Sequence, residues 1–348
     1  MFIYWALFAV VAIGALLNQD EDMHRHRWLF MLLASIPTAL MIGLRWKVGP
    51  DWDAYLDIFN ATRLWSIEQI AGRGDWGFAV LLWVLHRLHW PFWILNLICG
   101  TIFVAGLTIF CRRQPNPWLA YLVALPYLVI VVGLSGVRQS AALGFLFLAL
   151  TAFERGQLVR FTLLLIAGAS FHGSAMVMLP ICLLSYTRNN LQRAVLLAIA
   201  ALFAMYFLRD TFAVYAHRYG TTKIQSSGVL YRVAMNAIAA LIFLAFRKRF
   251  EMSDHESRLW RNFSLLTFGL ALLLLVVPST TAVDRLLLYL FPLQLVVLSR
   301  VPRILSGEQQ GAGQLTWAIS LYAAAIQAVF LLFGVAAAGY VPYRTIFS

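Results

Sequence analysis

Two polar side chains, Arg138 and His172, stand inside long apolar stretches of this 348-residue sequence. Arg138 heads the apolar run in GVRQSAALGFLFLALTAF, and His172 interrupts a second run within AGASFHGSA. A charged or ionisable side chain is costly in lipid, so each residue needs a partner, a water-filled cavity or a task. A guanidinium binds phosphate groups through a planar fork, and an imidazole accepts a proton near neutral pH. We therefore expect both residues to face the same side of a membrane and to form part of one site.

The composition predicts the surroundings of these two residues. Hydrophobic residues make up 61% of the chain and charged residues 12%, whereas a soluble domain carries roughly 25% charged residues. At about 20 residues per spanning helix, the apolar runs predict an all-α, polytopic integral membrane protein with roughly ten to twelve transmembrane or re-entrant helices. Residues 1–348 then form a single transmembrane domain, and no soluble domain is expected.

The net charge of +12 does not indicate nucleic-acid binding. The arginines stand singly or in short groups at the ends of apolar runs, where the positive-inside bias places them. Cys99, Cys111 and Cys182 lie in or beside apolar runs, without the spacing of a metal site or of a disulfide framework. We therefore expect the lipid bilayer as a partner, and neither nucleic acid nor a metal ion.

The basic turns between the apolar runs predict a topology. Residues 160–186 would span about 40 Å as one helix, and a single crossing there would invert the side of every later basic turn. If the helix breaks at His172 and returns, the basic turns all fall on the cytoplasmic side, as the positive-inside rule requires. A broken helix is tolerated where it lines a cavity, so we predict a break near His172. The polar segments at about 45–75 and 209–228 are then external loops, and Arg138 lies in an external turn.

On this topology the external side collects many charged groups. They are Arg45, Lys47, Asp51, Asp53, Arg138, His172, Arg218, Lys223, Arg232, Asp284 and Arg285. Several arginines at one interface suit a pyrophosphate head group, which they bind in a bidentate fork. Arginines that reach from lipid into the interface are the structural alternative for Arg45, Arg218 and Arg232. For Arg285 the alternative is an ion pair with the adjacent Asp284.

His172 is the most informative single residue. An imidazole with its ordinary pKa near 6.5 can take a proton from an attacking hydroxyl at neutral pH, and the adjoining Gly173 and Ser174 favour this role at a helix break. The alternative is a hydrogen bond to a neighbouring helix. Asp51 and Asp53 have three open roles, which are to orient the histidine, to bind sugar hydroxyls or to pair with Arg45.

Four sequence blocks resemble one protein family. They are VGPDWDAY at 48–55, GVRQSAA at 136–142, ASFHGSA at 169–175 and DRLLLY at 284–289. In this order and spacing they resemble the EpsG family, Wzy-like polymerases of bacterial exopolysaccharide, over roughly residues 30–295. The sequence departs from the family pattern at Pro50, at Trp52 and at Asp75, where the pattern has glutamate.

The resemblance implies a metal-independent glycosyltransferase without a cofactor, at the outer, periplasmic face of the bacterial inner membrane. Such an enzyme would transfer a glycan from undecaprenyl pyrophosphate to a lipid-linked repeat unit. Carried onto this chain, Arg138 and Arg285 would hold the departing pyrophosphate, with Arg45 as a helper. His172 would deprotonate the acceptor hydroxyl, and Asp51 would orient the acceptor or the base.

Three further residues, Arg232, Asp53 and Gln139, are candidates for binding the pyrophosphate or the sugars. The partners expected are an undecaprenyl-pyrophosphate-linked oligosaccharide and, as a further candidate, a polysaccharide co-polymerase. Two other functions stay open. A flippase or transporter of lipid-linked oligosaccharide also uses broken helices and charges at membrane depth. An intramembrane serine protease would use Ser135, which lies in the short GLSG pattern at 133–136.

Overall fold

A computed structural model describes residues 1–17, 27–187, 189–199, 201–202, 205, 228–275, 277, 280–306 and 309–348. The regular elements within these ranges are helices, and Arg45 and Thr345 form an isolated β-bridge. Five described helices are long and apolar enough to cross a membrane, and seven shorter apolar helices accompany them. The prediction of an all-α, polytopic membrane protein is therefore confirmed. The predicted external loop at 209–228, with Arg218 and Lys223, lies outside the described residues apart from Gly228.

The chain divides into two compact units, residues 1–173 with 298–348 (unit 1) and residues 174–297 (unit 2). The helices in chain order are α1 Phe2–Leu17, α2 Arg27–Gly43, α3 Trp52–Ala61, α4 Ile67–Ala71, α5 Trp76–Arg87, α6 Phe92–Cys111, α7 Pro117–Ala124, α8 Val137–Glu154, α9 Leu158–Phe171, α10 Met178–Leu183, α11 Asn190–Ile199, α12 Val229–Phe246, α13 Asp254–Leu273, α14 Thr281–Leu288, α15 Pro292–Leu305 and α16 Gln309–Phe333.

The centre of unit 1 is α8, which packs against α6 on one side and α9 on another. The crossing of α6 and α8 is close, because a Cβ on Gly106 would lie 2.1 Å from the carbonyl oxygen of Gly144. Small residues at such a crossing let two backbones approach, which is how membrane helices gain packing contacts in lipid. Leu163 on α9 and Leu321 on α16 are exposed, as lipid-facing side chains are. The helix that carries Arg138 is thus held on both sides.

The segment before α8 is not a simple turn. After α7 the chain continues as a π-helix over Leu125–Gly133, with Pro126 near its start. Proline cannot donate a backbone hydrogen bond, so a change in helical register is expected beside it. Helical structure resumes at Val137. The expectation that GVRQS forms a turn is therefore wrong for Arg138, which lies in the first turn of α8.

The helix break near His172 is present, as predicted. Helix α9 ends at Phe171, and His172 itself is extended, with φ −151° and ψ 105°. A short 3-10 helix, Gly173–Val177, follows. The backbone N–H of His172 still donates to the carbonyl of Gly168, at 3.0 Å. The imidazole therefore projects from the point at which the regular helix stops.

Unit 2 is organised around α12, which packs against α13 and α14. Asn236 on α12 donates to the carbonyl of Leu287 at 3.1 Å and accepts from Gln294 at 2.8 Å. Ser253 and Glu256 form a capping box at the start of α13. One of the five candidate membrane spans covers Val283–Leu305, and within it α14 ends at Leu288 and α15 begins at Pro292.

In unit 1 the loop after α2 pairs with the C-terminal tail. The backbone N–H of Trp46 donates to the carbonyl of Arg344 at 2.9 Å, and that of Ile346 donates to Leu44 at 3.0 Å. Gly49, at φ +96°, donates to the carbonyl of Gly339 at 2.7 Å. A Cβ on Gly49 would lie 2.0 Å from the carbonyl oxygen of Leu134, so this loop also lies against the segment that leads into α8.

Candidate functional site

Arg138 lies at the N-terminal end of α8, between an acid and two aromatic rings. Its Nη1 forms an ion pair with the carboxylate of Asp75, the residue that precedes α5. The guanidinium carbon lies 5.7 Å from the ring centroids of both Tyr55 and Phe78, a range in which cation–π attraction operates. The side chain is 34% exposed, while its buried Nε has no hydrogen-bond partner among the described residues. The guanidinium is therefore held from one side and accessible from another.

The position of Arg138 on its helix adds to this picture. The N-terminal end of a helix carries a partial positive charge and unpaired N–H groups, which favour anions. A cation in the first turn of α8 is unfavourable with respect to that dipole. A negatively charged group beside the first turn of α8 would satisfy the helix end and the guanidinium together.

Gln139 connects the first turn of α8 to the helix break. Its amide nitrogen lies 3.3 Å from Nε2 of His172. An amide nitrogen can only donate, so Nε2 accepts and the imidazole has its proton-accepting nitrogen on the α8 side. His172 is partly buried. Adjacent residues of α8 thus carry the guanidinium and the contact to the imidazole.

Ser135 and Asp51 extend the polar surface on the other side of this turn. The hydroxyl of Ser135 donates to Oδ2 of Asp51 at 2.7 Å, and Asp51 is exposed at the start of α3. The Tyr55 hydroxyl lies 3.5 Å from the backbone nitrogen of Arg138. We call the group in unit 1 the α8 head site. Its members are Asp51, Tyr55, Asp75, Ser135, Arg138, Gln139 and His172.

Arg45 lies in a different environment from Arg138, although both are predicted phosphate ligands. It is 2% exposed, and its Nε and Nη1 donate to the carbonyls of Val48 at 3.2 Å and Ile42 at 2.7 Å. Burial lowers the pKa of Arg45 to about 10, against the opposing effect of the nearby tyrosines Tyr343, Tyr340 and Tyr55, so the group stays charged at neutral pH. Its donors are directed at backbone, and neither Asp51 nor Asp53 pairs with it. We therefore leave Arg45 out of the proposed binding set.

The remaining predicted residues are placed as follows. Asp53 is exposed in the first turn of α3. In unit 2, Arg232 in the first turn of α12 forms an ion pair with Asp284 of α14. The ion pair that the sequence suggests between Asp284 and its neighbour Arg285 is thus replaced by one with Arg232. Arg285 is exposed.

Sequence reasoning missed Asp75 and Tyr55 as members of the site and treated Ser135 only as a protease nucleophile. Asp75 carried a signal, because it stands at a position where the family pattern has another carboxylate. Tyr55 lies within the VGPDWDAY block, one helical turn after Asp51. Their contacts to Arg138 join segments that are far apart in sequence, so the local pattern could not reveal them.

The α8 head site can bind an anion and accept a proton. A guanidinium beside a helix N-terminus stabilises phosphate oxygens, and a neutral imidazole nitrogen can act as a general base. Exposed carboxylates such as Asp51 and Asp53 accept hydrogen bonds from sugar hydroxyls. Among the described residues, no group of three or more His, Cys, Asp and Glu side chains is arranged to hold a metal ion.

The family model of EpsG matches residues 28–345, nearly the whole chain. The chain therefore belongs to the EpsG family, a family of Wzy-like polymerases. The match includes all the residues of the α8 head site, together with Arg232 and Arg285. No curated protein and no solved structure matches the chain.

Proposed function

We propose that this protein is a Wzy-like exopolysaccharide polymerase of the bacterial inner membrane that transfers a glycan from undecaprenyl pyrophosphate to a lipid-linked repeat unit at the outer face. In this reaction an acceptor hydroxyl oxygen bonds to the anomeric carbon of the donor sugar, and the bond from that carbon to the pyrophosphate oxygen breaks. The hydroxyl proton passes to His172, and the negative charge stays on the departing undecaprenyl pyrophosphate. Atoms and charge balance without any co-reactant.

The observation that carries this proposal is the adjacency of Arg138 and Gln139, the first side chain accessible to an anion and the second in contact with His172. The leaving pyrophosphate gains charge as the glycosidic bond breaks, so a preorganised cation at its oxygens lowers the barrier. Arg138 supplies that cation and the N-terminal end of α8 adds to the field.

Asp75 acts on Arg138 as a positioning residue. It holds Nη1 through an ion pair while Tyr55 and Phe78 lie against the guanidinium. A side chain fixed in this way loses less rotamer freedom when the pyrophosphate binds, which preserves binding energy for the transition state. The exposed part of the fork is left to meet phosphate oxygens.

Gln139 favours the tautomer of His172 that can accept a proton. Because the amide donates to Nε2, the neutral tautomer with an accepting Nε2 is favoured. An acceptor hydroxyl that takes the place of the amide proton would meet a nitrogen with a lone pair directed at it. Asp51 and Asp53, exposed at the start of α3, are proposed to bind acceptor hydroxyls. The role of the exposed Arg285 in binding pyrophosphate stays a prediction.

The decisive experiment replaces His172 by Ala in a strain that depends on this protein for polymer. We expect the polymer to be lost while single repeat units still reach the outer face. His255→Ala is the matched control, because His255 lies at the start of α13, where it stacks on Tyr186 outside the α8 head site. Polymer should persist in this variant. Membrane insertion of both variants is checked by fractionation and size-exclusion chromatography.

The same experiment separates the proposal from a flippase. A flippase variant would retain repeat units on the cytoplasmic face, whereas a polymerase variant exports them singly. Polymer of normal length and amount from His172→Ala would show that the base is assigned wrongly. Accumulation of repeat units inside the cell would show that the function is assigned wrongly.

A further inference from the structure

A second group of arginines lies in unit 2, and none of its members has a role in the proposed reaction. We call it the α13 cluster, and its members are Arg193, Arg247, Arg258 and Arg261. Arg258 and Arg261 are one turn apart on α13, Arg247 follows α12, and Arg193 belongs to α11. All four side chains are half-buried.

Hydrogen bonds to neutral acceptors hold the cluster together. Arg258 Nε donates to the carbonyl of Ser185 at 2.6 Å, and the amide of Asn262 contacts the hydroxyl of the same serine at 3.3 Å. Arg247 Nε donates to the hydroxyl of Ser257 at 2.9 Å. Arg193 Nε donates to the carbonyl of Thr187 at 3.3 Å. These contacts tie the segment before α11 and the end of α12 to the first two turns of α13.

Among the residues that the structure describes, carboxylates do little to balance the charge of the cluster. Of the four guanidinium groups, only that of Arg258 lies within 4.0 Å of a described carboxylate, at 3.9 Å from Asp254, whose side chain is 81% exposed. Burial lowers the pKa of Arg261, and the positive charges of Arg247, Arg193 and Arg258 lower it further. The Nε of Arg261 is buried and has no hydrogen-bond partner among the described residues.

Partly buried like charges are unfavourable unless an anion lies among them. We propose that the α13 cluster is a binding site for a phosphate group. A phosphate offers several acceptor oxygens to converging planar donors, which suits guanidinium groups better than a single carboxylate does.

Two sources present this chemistry at the predicted cytoplasmic face, the headgroup of an anionic phospholipid and soluble phosphate. Anionic lipids of the cytoplasmic leaflet bind basic pockets between membrane helices. The site is independent of the proposed polymerase reaction, because none of its residues belongs to the α8 head site.

The test measures binding to the purified full chain in detergent micelles by native mass spectrometry. The probes are phosphatidylglycerol, phosphatidylcholine with the same acyl chains, and inorganic phosphate. The cluster variant is R258Q/R261Q. The matched control is K248Q/R249Q, which removes two charges from the same basic segment at exposed positions outside the cluster.

We expect phosphatidylglycerol to bind the unaltered chain at least about tenfold more tightly than phosphatidylcholine does. The cluster variant should lose about tenfold in this affinity, and the control should change by less than about twofold. If phosphate displaces phosphatidylglycerol with the same dependence on the cluster, soluble phosphate is the ligand. If phosphate does not displace the lipid, the headgroup is the ligand.

Equal binding of both lipids, with no binding of phosphate, would overturn the proposal. An equal loss in the cluster variant and the control would also overturn it, because the attraction would then be a diffuse effect of basic charge. If R258Q/R261Q does not give a monodisperse protein, R261Q replaces it, since the hydrogen bond recorded for Arg261 is a 3.5 Å contact to the adjacent Asn262. That variant should lose about fivefold in affinity, and the same criteria apply.

Discussion

Arg45 and Arg138 both stand at the ends of apolar runs, and the sequence treats them alike. In the structure Arg45 is 2% exposed and donates to backbone carbonyls. Arg138 is 34% exposed, forms an ion pair with Asp75 and lies against aromatic rings. The difference shows that two arginines with similar sequence contexts can have donor atoms in very different surroundings, which is why only Arg138 is proposed as a ligand-binding residue.

Helix polarity explains the two environments. Arg45 follows the C-terminal end of α2 and donates to Ile42, one of the last carbonyls of that helix. A cation there satisfies unpaired carbonyls and the negative end of the dipole. Arg138 lies at the positive end of α8, where its charge is opposed. Arg45 therefore stabilises the protein as it stands, whereas Arg138 gains most when an anion is bound.

Replacement of Arg138 should have the largest effect on activity. Arg138→Ala should lower polymerisation of purified lipid-linked repeat units about 100- to 1,000-fold, since removal of one preorganised donor to a developing anion has this effect. Arg138→Lys should also lose most activity, because an ammonium lacks the planar fork. Wild-type turnover by the lysine variant would contradict the pyrophosphate role.

Arg45→Met should mainly lower the stability of the folded protein. Two hydrogen bonds from a charged donor to buried carbonyls contribute about 3 kcal/mol together. Unfolding in detergent, followed by the fluorescence of the 12 tryptophans, should occur at a clearly lower temperature. Arg138→Met is the control and should change stability by less than about 1 kcal/mol, as for a solvent-accessible ion pair. If the two variants exchange these phenotypes, the comparison between the two arginines is wrong.

Asp75→Asn should have an intermediate effect on activity. Loss of one charge-assisted hydrogen bond of about 1.5 kcal/mol corresponds to about a tenfold fall in kcat/KM. Asp75→Glu retains the carboxylate and should recover most of the activity. A positioning role predicts that the loss lies mainly in KM for the pyrophosphate-linked donor. An equal loss in the asparagine and glutamate variants would indicate that Asp75 acts only through packing.

Ser135→Ala should have the smallest effect. Its hydroxyl donates to Asp51, so its proton is directed to a carboxylate and not to an imidazole, as a serine nucleophile would require. Because Asp51 is exposed and water can replace the lost donor, removal of this hydrogen bond should change polymer synthesis by about threefold at most. Complete loss of turnover, measured with the same lipid-linked substrate, would favour a serine-dependent mechanism.

Much of the fold follows from local patterns in the sequence. The spanning helix Phe92–Cys111 is an example, because Pro91 precedes an apolar run of spanning length and the pair Arg112 and Arg113 follows it. The break at His172 was also predictable, since charge parity across the membrane required a returning segment. Such features depend on composition, length and the sign of the flanking charges.

The parts that could not be predicted depend on contacts between distant segments or on changes of helical register. Pro126 favours a change of helical register, but it does not specify a π-helix that runs to Gly133, after which Arg138 lies in the first turn of α8. The interruption between α14 and α15 is equally hidden, because 286–298 reads as one apolar run. Arg138 pairs with an acid on another element, and Arg45 donates to backbone carbonyls. The pattern of side chains along the sequence shows neither kind of partner.

The pairing of the tail with the loop after α2 has a consequence for biosynthesis. The backbone N–H groups of Trp46 and Gly49 donate to the carbonyls of Arg344 and Gly339. The ribosome adds these two acceptor residues almost three hundred residues later. Early chain segments enter the membrane as they are made, yet this loop lacks those hydrogen bonds until residues 339–346 have emerged. Closure of the loop after α2 is therefore among the last events in the maturation of unit 1.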